Sequence, residues 1–374
     1  MNVLLIFTYG ISLKIWDETG LLNREIGLYK KLNDTEEINF TFLTFGNEVD
    51  HQYDDLLGDI KIFPIYSKFK FHKNKIIRFL YTFVICFKLK KQFKDIEIIK
   101  TNQLMGAWMA IALKKLIGCK LIIRTGYDIL SFSIKNKKGL HKIFFYYLLT
   151  QVSLLLSNYY SVTSHSDKKF LNRVFLFNKD KLLVRPNWVF SQENYKPLKD
   201  RKNNTILSVG RLERQKNFTY LIQELSDTDI SLDIVGHGSD KKDLIDLSKK
   251  LNVKVNFIDA MPNEKLLKLM QDYKIFVLPS VFEGNPKSLS EAMSLGCVPV
   301  VSDIENNREL VEHNQNGLVF KLEKNELKNL LSDLIENDTL MEKLSKNSVY
   351  KIEEKLSLDK YCLSEINDYK LLLV

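Results

Sequence analysis

The chain reads as an α/β protein made of two Rossmann-like domains, each a parallel sheet covered by helices on both faces. Three observations predict this. Short apolar runs of strand length alternate with helical stretches, the pattern of parallel strands buried on both sides. The alternation runs through two cycles, parted by a stretch at 186–204 that holds Pro186, Pro197 and charges but little periodicity. With 374 residues, and ~150 per domain as a prior, the chain has room for two or three cores.

The first cycle opens with an apolar strand at 3–7 and a turn at Gly10. A helix at 25–32 leads to a strand at 39–44, and another strand follows at 60–65. A basic, aromatic helix is expected over 74–93, a strand at 96–100, a helix at 108–116 and a strand at 120–124. A helix at 140–156, broken at Asn158, precedes strands at 159–163 and 181–184. The second cycle has strands at 205–209, 232–235, 255–258, 275–278 and 298–301. Helices at 218–225, 241–251, 263–271 and 287–295 lie between them. The domains are expected at 1–187 and 205–355 with a linker at 188–204, and the helical segment 356–374 is expected to pack back on the first.

Composition narrows the class. Apolar residues make up 45%, enough for packed cores and too many for a disordered chain. The four cysteines, Cys86, Cys119, Cys297 and Cys362, form no C-x-x-C pair, which excludes a Cys-rich zinc site and suits a reducing compartment. The six histidines form no ligand cluster, so no metal is expected. The net charge of +9 is uneven: residues 1–190 carry +13 and the remainder −4, and residues 61–142 alone carry +16. Such a distribution suggests that one half meets an anionic partner. The uncharged stretch 143–164 is long enough to span a bilayer, but its Thr, Ser, Gln and Asn residues read as a buried helix and strand.

The chemistry concentrates in the second half. The strand ending at Val209 runs into Gly210, then Arg211 and Lys216 stand five residues apart before a helix. In open parallel sheets ligands bind at the carboxyl ends of strands. There Gly210 allows a tight turn, Arg211 can fork two phosphate oxygens and Lys216 adds a point charge. Taken alone, two solvated surface cations explain that loop as well. After the strand at 275–278 come Glu283, Gly284, Asn285 and Pro286, then Lys287, Ser288, Leu289 and Glu291. Amides beside a helix N-terminus suit an anion, and the two carboxylates suit sugar and ribose hydroxyls. A turn acid and a solvated helix acid are the plainer readings. Gly236 and Gly238, after the strand at 232–235, do not make a G-x-G-x-x-G fingerprint.

Together these segments resemble the family 4 glycosyltransferases, retaining enzymes of the GT-B fold, in which two Rossmann-like domains face each other across a cleft. The resemblance is carried by V-G-R-L-x-x-x-K-N at 209–217, V-G-x-G at 235–238 and P-S-x-x-E-G-N-P-x-x-L-x-E-A-M at 279–293. It continues through G-C-V-P-V-V at 296–301 and N-G-L at 316–318. Gly10, T-S-H-S at 163–166 and R-P-N at 185–187 extend it more weakly into the first half. The resemblance implies transfer of a sugar, with retention, from a nucleoside-diphosphate donor to a saccharide or lipid-linked acceptor, in cell-surface polysaccharide or lipopolysaccharide assembly, without a divalent metal. Arg211 and Lys216 would neutralise the leaving diphosphate, which fixed cations favour most in the transition state. Glu291 would hold the ribose. Glu283, with the amides of 284–287, would hold the donor sugar. Gly10, Gly210 and Gly236 would let backbone approach the donor. Many relatives have a His after the strand corresponding to 120–124. This chain has R-T-G-Y-D there, so Arg124 or Asp128 would substitute, and His165 could approach the cleft. Alanine at Lys216 or Glu291 is expected to cut transfer by orders of magnitude without unfolding the chain.

The region 67–94 mixes cations with aromatics, as a helix lying in an anionic membrane surface does, and Lys135, Lys137, Lys138 and Lys142 extend it. That predicts a cytoplasmic protein, peripheral on the inner face of the plasma membrane and suited to a lipid-linked acceptor. A core helix with a Lys-rich outer face is the alternative. Nucleic-acid binding is the rival from another class, but no known motif supports it and no nucleic acid is expected. A sugar-nucleotide epimerase or a phosphorylase on the same fold is the closer rival.

Overall fold

The structure is a computed structural model describing residues 1–35, 38–175, 179–190 and 194–374. Residues 191–193 of the expected linker lie outside the described residues. The chain forms two compact units, Met1–Pro186 with Tyr361–Val374, and Asn187–Lys360.

The first unit is built on β1 (Asn2–Ile6), β2 (Asn39–Thr44), β3 (Lys61–Pro64), β4 (Ile98–Thr101), β5 (Lys120–Arg124), β6 (Tyr159–Val162) and β7 (Leu182–Val184). All pairings are parallel, in the order β3-β2-β1-β4-β5-β6-β7. The order reverses at β1, so connections on its two sides cross in opposite directions. Right-handed crossover then puts the helices Lys75–Leu89, Ala107–Ile117 and Leu140–Leu156 on one face, with the middle one touching both others.

The opposite face takes Leu22–Thr35 and the last helix, Leu358–Leu373. That last helix is held by buried charge as well as apolar packing. Lys100 of β4 pairs with Glu365, and Tyr369 donates its hydroxyl proton to the same carboxylate. Arg185 Nε donates to Asp368 Oδ2 at 2.8 Å. Burial pulls the Lys100 ammonium below its ordinary pKa, against the pull of Glu365. The helix begins at Leu358 rather than 356. Ser357 leaves the preceding helix, Asp338–Leu356, to bridge Val189, whose N–H donates to Leu356 O at 2.9 Å.

The second unit is built on β8 (Lys202–Val209), β9 (Ser231–Val235), β10 (Val255–Ile258), β11 (Tyr273–Leu278), β12 (Val298–Ser302) and β13 (Leu318–Phe320), all parallel, in the order β10-β9-β8-β11-β12-β13. One apolar core lies on each side of the sheet, around Leu221 and Leu331 on one and Leu289 and Met293 on the other. β8 starts three residues earlier than the apolar pattern indicated. Lys202 opposes Tyr273, and its ammonium binds Asp233 at 3.0 Å and the Tyr273 hydroxyl at 2.9 Å, so a polar segment is held in the sheet.

Candidate active site

The order of the second sheet also reverses, and β8 and β11 are the neighbours at that point. Their exit loops therefore meet at the carboxyl edge, where a parallel sheet leaves a crevice. Two bonds tie the loops together: Val281 N–H donates to Gln215 O at 2.9 Å, and Asn217 Nδ2 donates to Pro279 O at 3.2 Å. Asn217 adopts a left-handed conformation (φ 56°), ending the single 3-10 turn Arg214–Lys216 and starting the helix Phe218–Glu224.

Across this junction Lys216 Nζ donates to Glu283 Oε1 at 2.6 Å, and Ser280 Oγ donates to the same oxygen at 2.6 Å. Gln215 Nε2 bonds Phe282 O at 2.9 Å and approaches Glu283 Oε2 at 3.4 Å. Glu283 is 5% exposed, so a carboxylate is held out of water by one ammonium and two neutral donors. Arg211 lies outward. Its guanidinium donates to Glu213 at 3.2 Å and meets Gln215 Oε1 at 3.5 Å, and more than half of the side chain faces solvent.

The glycines explain how the loops come so close. A Cβ on Gly236 would stand 1.9 Å from the Gly210 carbonyl oxygen, and one on Gly238 would stand 2.2 Å from that of Leu212. A Cβ on Gly210 would press Lys216 Cε at 2.8 Å, so the lysine stem crosses over a position with no side chain.

The remaining predicted residues of this unit divide. Glu291, 6% exposed on the helix Lys287–Ser294, accepts from Asn263 Nδ2 at 2.9 Å. Ser288 Oγ donates to Val209 O at 3.4 Å, which brings the start of that helix beside the end of β8. Gly284 is buried and Pro286 occupies the cap position. Lys287 Nζ lies 5.8 Å from the Trp188 ring. Asn285 is a tether: its side-chain oxygen accepts from Asn187 N–H at 2.9 Å, and its carbonyl accepts from Asn187 Nδ2 at 3.0 Å. Leu289 is fully buried in the core, which leaves only its backbone for a ligand.

In the first unit Gly10 follows β1 at the reversal point with φ +81°, and open space surrounds its Cβ direction. The expected sugar contacts Arg124 and Asp128 do not fit their positions. Arg124 is 3% exposed, donates to Asn102 Oδ1 at 3.1 Å and stands 3.9 Å from Glu25, because β5 points it into the unit. Asp128 is fully buried and caps the helix Ile129–Lys135 by accepting from Ser131 N–H at 2.6 Å. His165 is exposed at the start of the helix His165–Val174.

Sequence reading passed over Gln215, Ser280 and Asn263. Gln215 adjoins Lys216 and Ser280 follows Pro279 within the motifs, so both were in view. Asn263 comes from the helix Asn263–Met270 and had no sequence link to Glu291. Among the described residues, no group of three or more His, Cys, Asp or Glu could hold a metal.

A family profile described as glycosyl transferases group 1 matches residues 190–349. An uncharacterized glycosyltransferase of Haemophilus influenzae is 27% identical over 260 residues, covering 67% of this chain and 70% of its own. An N-acetylgalactosaminyltransferase of Campylobacter jejuni, named for an N-acetylgalactosamine-N,N'-diacetylbacillosaminyl-diphospho-undecaprenol substrate, is 33% identical over 143 residues. That match covers 37% of this chain and 39% of the relative, well under half of its length. The crystal structure of Anabaena Alr3699/HepE in complex with UDP superposes with a TM-score of 0.78 at 14% identity, covering 99% of this chain and 100% of that one. The chain is thus a glycosyltransferase with the GT-B fold, and residues 190–349 of its second unit match the group 1 glycosyl transferases.

Proposed function

We propose that this enzyme moves a sugar, with retention of anomeric configuration, from a nucleoside-diphosphate donor to a saccharide or lipid-linked acceptor, as family 4 enzymes do. The observation that carries the reading is the convergence of Lys216, Glu283, Gln215 and Arg211 where β8 and β11 end. Departure of a nucleoside diphosphate builds charge on phosphate oxygens. Arg211, outward on the loop, grips that charge, and Lys216 turns toward it from Glu283. Glu283 then accepts hydrogen bonds from hydroxyls of the donor sugar, and Glu291 from those of the ribose. These cations supply the charge neutralisation a metal gives elsewhere, so no divalent ion is needed.

The UDP in the HepE structure supports a uridine donor, and the diphospho-undecaprenol in the Campylobacter enzyme's name supports a lipid-linked acceptor in cell-surface glycan assembly. A lipid-linked acceptor suits a peripheral protein on the cytoplasmic membrane face, with the basic region 67–94 toward anionic lipid. No helix among the described residues is long and apolar enough to cross a membrane.

A thermal-shift screen with UDP-, GDP- and ADP-sugars tests the donor class. A ligand that binds the folded form raises the midpoint with the logarithm of its concentration. A midpoint unmoved by every nucleotide sugar overturns the reading. Product analysis by NMR then separates retaining transfer from inversion, epimerisation or phosphorolysis.

A further inference from the structure

The helix Leu140–Leu156 is apolar on both faces. Leu149, Thr150, Ser153 and Leu154 are buried beneath it. Phe144, Leu148, Val152 and Leu155, spaced by four, four and three residues, form one outward stripe, with Phe144 63% exposed. On the same face of the first unit the helix Lys75–Leu89 repeats the arrangement. Thr82, Ile85, Cys86 and Leu89 are buried, while Ile76, Leu80, Phe83 and Phe87 face out at spacings of four, three and four, with Leu80 57% and Phe87 59% exposed. The Lys-rich outer face considered for this helix is an apolar one, flanked by lysines. A helix covering a sheet in water turns its apolar stripe inward. Two helices flanking Ala107–Ile117 that carry a second apolar stripe outward make a patch of the kind that meets another phase or partner.

Charge identifies the occupant. Lys73, Lys75, Lys88 and Lys91 border the first stripe, and Lys138 and Lys142 stand at the start of the second. They belong to the segment 61–142, which carries +16. A second copy would bring like charge against like. Nucleic acid would satisfy the lysines and leave the apolar stripes in water. An anionic bilayer surface satisfies both, with side chains entering the acyl boundary and ammonium groups at the phosphates.

We propose that the outward stripes of Lys75–Leu89 and Leu140–Leu156 form one docking face that lies in the interface of an anionic membrane. The second helix, read from its sequence as buried, is thereby assigned a lipid contact. The purpose of docking, access to a lipid-linked acceptor, rests on the proposed function; the docking itself does not.

The test uses the full chain carrying Phe144→Trp, with vesicles of phosphatidylcholine alone or with about one-third phosphatidylglycerol. The expected result is flotation with the anionic vesicles, weakened by salt, together with a blue shift of the introduced indole and its quenching by brominated acyl chains. Leu80→Glu and Leu148→Glu, both at exposed positions, should each lower the partition coefficient at least tenfold while leaving circular dichroism and nucleotide-sugar thermal shifts intact. Absence of flotation overturns the proposal, as does flotation with the indole unperturbed. So does a concentration-dependent dimer that hides the indole without lipid, or nucleic acid that protects it. If no nucleotide sugar shifts the midpoint of any form while flotation persists, the functional reading falls and the docking face stands.

Discussion

Lys216 and Glu283 are joined by a 2.6 Å bond between the exit loops of β8 and β11. Glu283 is buried and the Lys216 side chain is 13% exposed, so the two partners do not contribute independently. Removing the cation alone leaves a carboxylate in a site built to neutralise it, which costs several times what an exposed ion pair is worth. The expectation that Lys216→Ala leaves the fold untouched is therefore revised.

Lys216→Met should lower unfolding stability by about 3 kcal/mol. Lys216→Met combined with Glu283→Gln should recover most of it, since both charges are gone and Ser280 still reaches position 283. Transfer should be lost in both forms. Urea denaturation alongside turnover checks this, and equal urea midpoints for the single and double variants would contradict the pairing argument.

Gln215→Ala should lower kcat about tenfold or more, because one side chain meets both Arg211 and Glu283. The stability loss should stay near 1–2 kcal/mol, the cost of leaving the Phe282 carbonyl without its donor. Steady-state kinetics decides it: a wild-type kcat removes Gln215 from any positioning role.

Gly236→Ala and Gly10→Ala should separate packing from backbone strain. At Gly236 a methyl would meet the Gly210 carbonyl oxygen at 1.9 Å, so β9 and the β8 exit loop must part and the thermal midpoint should fall steeply. At Gly10 nothing stands within 4 Å, and the positive φ alone should cost about 1 kcal/mol. Equal midpoints for the two variants would refute the packing argument.

Asp128 should give the first unit a pH dependence. Burial pushes its carboxyl up to about 7, with the Ser131 amide opposing and Asp167 adding to the rise. Between about pH 4 and pH 7 the folded chain holds a proton that the unfolded chain has released. Stability therefore falls as pH rises through that window, by up to about 1.4 kcal/mol per unit. Asp128→Asn keeps an amide oxygen for the cap and removes the titration. It should be more stable than the parent near pH 8 and similar near pH 4. Parallel stability profiles for the two forms would show that Asp128 does not titrate in this way.

Much of the framework was legible because buried parallel strands are apolar runs. The strands at 39–44, 120–124 and 255–258 and the helix at 140–156 have the bounds that the apolar pattern indicated. β13 and the helices Glu326–Ile335 and Asp338–Leu356 were not read. β13 is three residues long and is defined by its pairing with β12, and the long helix carries charge on most turns. In the site, Lys216 and Glu283 stood out as charged residues at strand exits, and Glu291 by its place in the 279–293 motif. Gln215 and Asn263 did not, since a neutral amide takes on a role only when the fold brings it a partner.

The sequence alone determined the alternation of strands and helices, the charge asymmetry, and the charged residues at the ends of β8 and β11. Only the tertiary structure decided that Lys216 faces Glu283, that Arg124 and Asp128 turn inward, and that the outer stripes of two helices are apolar. Apolar periodicity records that a helix has two faces, but not which of them meets the sheet. That choice is made when the neighbouring strands and helices pack against it.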